Sequence, residues 1–210
     1  MEKELYIRRH KDYAVFSKIF AGPVDDNTKQ IIINLFNSLI MFAKEIQDDS
    51  LKNSLEFVIN FLQKNNEEEL NRIYTSLFVS GGYGKIICPV ESIYLENTGL
   101  VMGEKRDTVL EIYAKNKLSL AETFKEQEDH IAAEFSYISM KNKDILTDDY
   151  GNQILDDNIN EQYDFIKEHI LPLIHYLILD LKKYDNSKFY YETAYIIKKY
   201  IEYDFIKSYE

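Results

Sequence analysis

Residues 128–144 read EDHIAAEFSYISMKNKD, and this stretch decides the class of fold. Ile131, Phe135 and Ile138 recur at the three- and four-residue spacing of one helix face. Glu126, Glu128 and Asp129 cluster at its start, where carboxylates suit the positive end of a helix. The pattern predicts a helix over about Glu128 to Asp144, followed by a turn at Asp148-Asp149-Tyr150-Gly151-Asn152.

The same period extends in both directions. Towards the N-terminus it predicts a helix from about Lys3 to Phe20, ending before Gly22-Pro23. Asp25-Asp26-Asn27-Thr28 then caps a helix carrying Ile32, Leu35, Phe36 and Leu39. Asp48-Asp49-Ser50 starts another with Leu51, Leu55, Val58 and Leu62 inward. Asn66 with Glu69 three residues on has the form of a capping box before Leu70, Ile73, Leu77 and Phe78. Ser80-Gly81-Gly82-Tyr83-Gly84 is a loop, a segment runs from Pro89 to near Gly99, and a helix covers about Arg106 to Lys117. Two long helices close the chain: Ile159 to Lys183, kinked at the internal Pro172, and Asn186 or Ser187 nearly to the end. No stretch shows strand alternation. The expected fold is all-α, one compact bundle of roughly eight to ten helices, with residues 1–210 as a single domain.

Composition narrows the function. A helical domain of this length buries about 70% of its unfolded surface without staples. The one cysteine, Cys88, forms no internal disulfide, which suits a reducing compartment. A net charge of −11 disfavours nucleic acid, whose phosphates demand cations; it could attract a basic partner, but on charge alone the preferred reading is that it keeps the protein in solution. No stretch approaches the ~20 apolar residues of a membrane span. Arg8-Arg9 has the look of an export signal, but Lys11, Asp12 and Lys18 interrupt the apolar run such a signal needs. That stretch reads as an amphipathic helix with Tyr6, Tyr13, Phe16 and Phe20 near one face, so a cytoplasmic location is expected.

Catalytic patterns fail on spacing. His130 and Glu134 share a helix shoulder and could pair as acid and base, but spacing alone favours helix-start carboxylates with His130 on a flank. A zinc pair of histidines four apart is absent, since His169 and His175 are six apart, and di-iron sets fail because Gln127 and Ile166 stand three residues before His130 and His169. Gly81-Gly82-Tyr83-Gly84-Lys85 lacks the spacing of a phosphate loop and has Ile86 where Ser or Thr belongs. No catalytic residue, metal or cofactor is expected.

Four stretches in order resemble the TorD/DmsD family of chaperones for molybdenum-containing respiratory enzymes, within the NarJ superfamily. They are Tyr74-Thr75-Ser76-Leu77-Phe78; Pro89-Val90-Glu91-Ser92-Ile93-Tyr94; Glu126-Gln127-Glu128-Asp129-His130-Ile131 with Glu134-Phe135; and Gln162, Phe165 and His169-Ile170 with Phe189-Tyr190. The chain departs from the family pattern at Val90, Gln127 and Leu173. The resemblance implies an all-helical, non-enzymatic protein. It would bind the twin-arginine signal peptide of a molybdopterin oxidoreductase catalytic subunit and hold that subunit until its cofactor is loaded. It nominates Glu91, Ser92, Tyr94, Asp129 and His130 for the peptide, with Tyr74, Phe78 and Glu126 in support. Carboxylates would face the arginines, and aromatics would line an apolar groove. Domain-swapped dimers are known in the family, and the Asp148–Asn152 turn is a candidate hinge. The alternatives are a NarJ-type chaperone for a subunit that is not exported, or a helical metal- or nucleotide-dependent hydrolase.

Overall fold

A computed structural model of the protein describes residues 2–82, 84–96, 101–147 and 152–206. The helices run α1 (Glu2–Ala21), α2 (Asp26–Glu45), α3 (Asp49–Lys64), α4 (Glu67–Tyr74), α5 (Glu91–Leu95), α6 (Glu104–Lys115), α7 (Ile131–Thr147), α8 (Asn152–Phe165), α9 (Leu171–Tyr184) and α10 (Phe189–Ile206). Two π-helical segments, Thr75–Val79 and Ile166–Ile170, follow α4 and α8. The fold is all-α, as the sequence predicts, with no strand among the described residues. None of the described helices is long and apolar enough to cross a membrane. Tyr83, Gly99 and the expected hinge at Asp148 to Gly151 lie outside the described residues.

Local chemistry sets the helix ends. Asp25, Asp48 and Asn66 each accept a backbone N–H three residues on, from Thr28 (2.6 Å), Leu51 (2.9 Å) and Glu69 (3.0 Å). The box at Asn66 is not reciprocated through a free Glu69, whose carboxylate is occupied by Arg72. The kink expected at Pro172 takes the form of a π turn just before it, in which the Leu171 N–H reaches five residues back to Ile166 O. Proline cannot donate in the α-helical ladder, and the wider turn absorbs the interruption.

The chain divides into two compact units: Met1–Ala21 with Pro89–Leu173, and Gly22–Cys88 with Ile174–Glu210. In the first, α1 lies along α7, and Tyr13, Phe16 and Phe20 close on Phe135 with ring centroids 6.2, 5.8 and 6.4 Å away. Ser17 Oγ donates to Ala132 O at 2.7 Å and Ser139 Oγ to His10 O at 2.8 Å, so small residues draw the two backbones together. In the second, α3 packs on α2 and α10, and Leu55, Val58, Leu62, Phe36 and Ile197 of these helices are buried. Phe61 stacks on Phe189 at 5.3 Å, and Ser54 Oγ donates to Glu192 at 2.6 Å.

Candidate functional site: a buried carboxylate clamp

The clamp lies within the first unit and begins with an offset. The sequence predicts a helix from Glu128, yet α7 starts at Ile131. Glu91 N–H donates to Asp129 O and Ile131 N–H to Pro89 O, both at 2.9 Å. These bonds pair Val90 with His130 as an antiparallel bridge and hold residues 129 and 130 out of the helix. Tertiary pairing thereby overrides a helical period. Asp129 consequently faces α5 instead of serving only as a helix-start charge. Its Oδ2 accepts both the backbone N–H (2.9 Å) and the hydroxyl of Ser92.

Ser92 Oγ accepts the Gly103 N–H at 3.3 Å, and Glu96 Oε1 accepts the Lys105 N–H at 2.7 Å, so α5 supplies the cap of α6. A Cβ at Gly103 would fall 1.9 Å from a Glu96 carboxylate oxygen, so a larger residue there would push the Glu96 side chain off the Lys105 N–H that it caps. Glu91 adds two contacts. Its Oε2 lies 2.7 Å from His169 Nδ1, and its Oε1 lies 3.1 Å from Lys105 Nζ without the alignment of a hydrogen bond.

Burial overturns the flank reading of His130, which is 3% exposed. Its Nδ1 accepts the Ala132 N–H at 3.1 Å, so the imidazole itself caps α7. It does not pair with Glu134, neither of whose oxygens has a hydrogen-bond partner. Burial holds the His130 pKa at about 4. Burial, then the carboxylates of Glu91 and Asp129, pushes Glu134 well above its ordinary 4.5, against an opposing pull from Lys105. Asp129 is also raised, mainly by burial and further by Glu91, while the Ser92 bonds pull it back.

These shifts oppose each other in the pH dependence of stability. Between about pH 6.5 and 4 the unfolded chain takes up a proton at His130 that the folded chain refuses. Stability therefore falls as pH falls through that window, by on the order of 3 kcal/mol at the limit. At Glu134 the fold keeps a proton that the unfolded chain releases above 4.5, so stability declines as pH rises from there. Glu134→Gln is expected to flatten the alkaline decline, measured as urea midpoints from pH 6 to 9. An unchanged slope would refute a buried neutral acid at this position.

Two cavities open nearby in the same unit. One, of about 480 Å³, is acidic, lined by Asp157, Glu161, Asp164 and Glu168 with Lys115, and also by His169, the residue bonded to Glu91. The other, of about 310 Å³, is mainly apolar and lies among the 118–124 loop, Tyr113, Tyr137 and Met140. Among the described residues, no group of three or more His, Cys, Asp or Glu is placed to hold a metal ion.

Of the nominated residues, Glu91, Ser92, Asp129 and His130 come together in the clamp, all buried. Tyr94 is half-buried on the same short helix, and Glu126 is exposed. Tyr74 and Phe78 belong to the second unit, where both pack on the buried Tyr190, at 6.2 and 4.8 Å. Sequence reasoning missed Lys105. A signal existed, because a cation in the first turn of a helix opposes the helix dipole and needs a reason to be there.

Residues 45–178 match the family model described as nitrate reductase delta subunit. The chain belongs to the nitrate reductase delta subunit family. This is the NarJ/TorD family that the four motifs resemble. A relative within reach of sequence comparison is the chaperone protein TorD of Shewanella piezotolerans, 22% identical over 203 residues, which cover 91% of this chain and 88% of that protein. Among solved structures, a protein of Archaeoglobus fulgidus described as a redox enzyme maturation protein is similar at 24% identity and a TM-score of 0.48, covering 92% of this chain and 93% of that one. The family model runs from the end of α2 partway into α9 and so contains every clamp residue.

Proposed function

We propose that this protein is a cytoplasmic, non-enzymatic chaperone for a molybdopterin-containing oxidoreductase, binding the twin-arginine signal peptide of its catalytic subunit and holding that subunit for cofactor insertion before export. One observation carries the reading. Motif residues from separate stretches of chain converge on a single clamp, and His169 ties that clamp to an acidic cavity. Carboxylates there suit a guanidinium, which binds them in charge-assisted and often bidentate fashion. The neighbouring apolar cavity suits the hydrophobic stretch that follows the arginines. Family membership and the chaperone TorD relative point the same way.

The test is calorimetry of the full chain with a synthetic leader peptide carrying an Arg-Arg pair before an apolar helix. Binding is expected, weakening as salt rises and by about tenfold when the pair is changed to Lys-Lys. The family description as a nitrate reductase delta subunit favours a second reading, in which the client subunit is not exported. Equal binding of a leader stripped of its arginines would select that reading. Absence of binding to either peptide would defeat the signal-peptide assignment.

A further inference from the structure

Four carboxylate oxygens of the clamp lack a hydrogen-bond donor: Glu91 Oε1, Asp129 Oδ1 and both oxygens of Glu134. All three residues are 0% exposed, and Glu134 feels the charges of Glu91, Asp129 and Lys105 together. Among the described residues the Lys105 ammonium lies 3.1 Å from Glu91 Oε1 without the alignment of a hydrogen bond, and its charge is also felt at Glu134. The Lys105 side chain is one-third exposed, so it runs from the surface to the buried acids. It does so from the first turn of α6, where the helix dipole repels a cation. An ammonium offers three donors around a point charge. A guanidinium offers five in a rigid planar fork, which matches several converging carboxylate oxygens better.

We propose that the carboxylates of Glu91 and Asp129, with the Glu134 carboxyl as a further acceptor, form a socket for one guanidinium, and that Lys105 plugs this socket in the free protein until an arginine of the bound partner displaces it. The inference rests on the peptide reading above and adds the site and its gate. Because the plug competes with the ligand, removing it raises affinity and improving it lowers affinity. A purely structural lysine would show no such opposition.

The experiment uses the full chain with the Arg-Arg leader peptide, comparing wild type, Lys105→Ala and Lys105→Arg by calorimetry. Circular dichroism checks the fold of each. Lys105→Ala is expected to bind about tenfold tighter and Lys105→Arg about tenfold weaker. If Lys105→Ala does not fold, the Lys105→Arg result decides, since an arginine plug must weaken binding. Binding by Lys105→Ala where wild type is silent supports the plug. Wild-type binding that neither substitution shifts, or that both weaken equally, overturns the plug and leaves the chaperone reading intact. Silence of all three proteins overturns both.

Discussion

Asp129→Ala is expected to lower folding stability by about 3–5 kcal/mol, read as a shift of the urea midpoint. The carboxylate accepts two bonds from Ser92, the backbone N–H and the hydroxyl, and neither residue is exposed to water. Each bond to a charged acceptor is worth roughly 1.5–3 kcal/mol, and the stranded donors find no solvent. The elevated pKa of Asp129 trims the gain, because burial disfavours the charge that makes these bonds strong. Asp129→Asn is expected to cost about half as much, since the amide oxygen can still accept from the Ser92 N–H. Ser92→Ala removes the hydroxyl and leaves the backbone bond, and falls in the same intermediate range. A loss under about 1 kcal/mol for Asp129→Ala would mean that the clamp does not hold α5 to the start of α7. Burial also determines how the site is probed. A charge reversal at Asp129 would report on folding before it reported on peptide recognition, so substitutions at Lys105 are the cleaner functional test.

Phe135→Ala is expected to cost a similar amount, about 3–5 kcal/mol. The ring is fully buried and touches Tyr13, Phe16 and Phe20, so truncation leaves a cavity in the seam between α1 and α7. The rigid backbone contacts beside it, Ser17 to Ala132 and Ser139 to His10, limit how far the seam can collapse to fill the space. Hydrogen exchange is the discriminating measurement, with amides of α1 losing protection in the variant. Preserved α1 protection with an unchanged midpoint would mean that Phe135 does not anchor this seam. Phe135→Leu keeps most of the volume and is expected to cost less.

Helix positions were legible in the sequence because their determinants are local. Asp25, Asp48 and Asn66 cap where their side chains predict, and the buried faces of α2 and α3 follow the apolar period. What escaped prediction depends on distant partners. The start of α7 moves three residues because Val90 claims His130. His169 was excluded as a metal ligand by spacing, but no local pattern announces its bond to Glu91, 78 residues away. The motif residues were identified as a group, but the burial that gathers Glu91, Ser92, Asp129 and His130 into one clamp has no local signature. Periodicity reports which face of a helix is inward and does not report which polar residue lies there. Glu134 shows this: it follows the inward face of α7 at full burial, where an apolar residue would be the ordinary choice.

The π-helical segment Ile166–Ile170 has a consequence for how this chain is compared with others. Such a turn holds one surplus residue inside an otherwise α-helical run, and bulging it out spares the helix downstream the rotation of about 100° that the extra residue would otherwise impose. Leu173, just beyond the turn, is buried, while His169 within it meets Glu91. Excising a single residue there would let the run close as an ordinary α-helix and would remove the local shape that aims the imidazole at its partner. Homologues that lack the surplus are therefore aligned correctly only by a one-residue gap inside this helix, and in them the histidine contact is free to be lost.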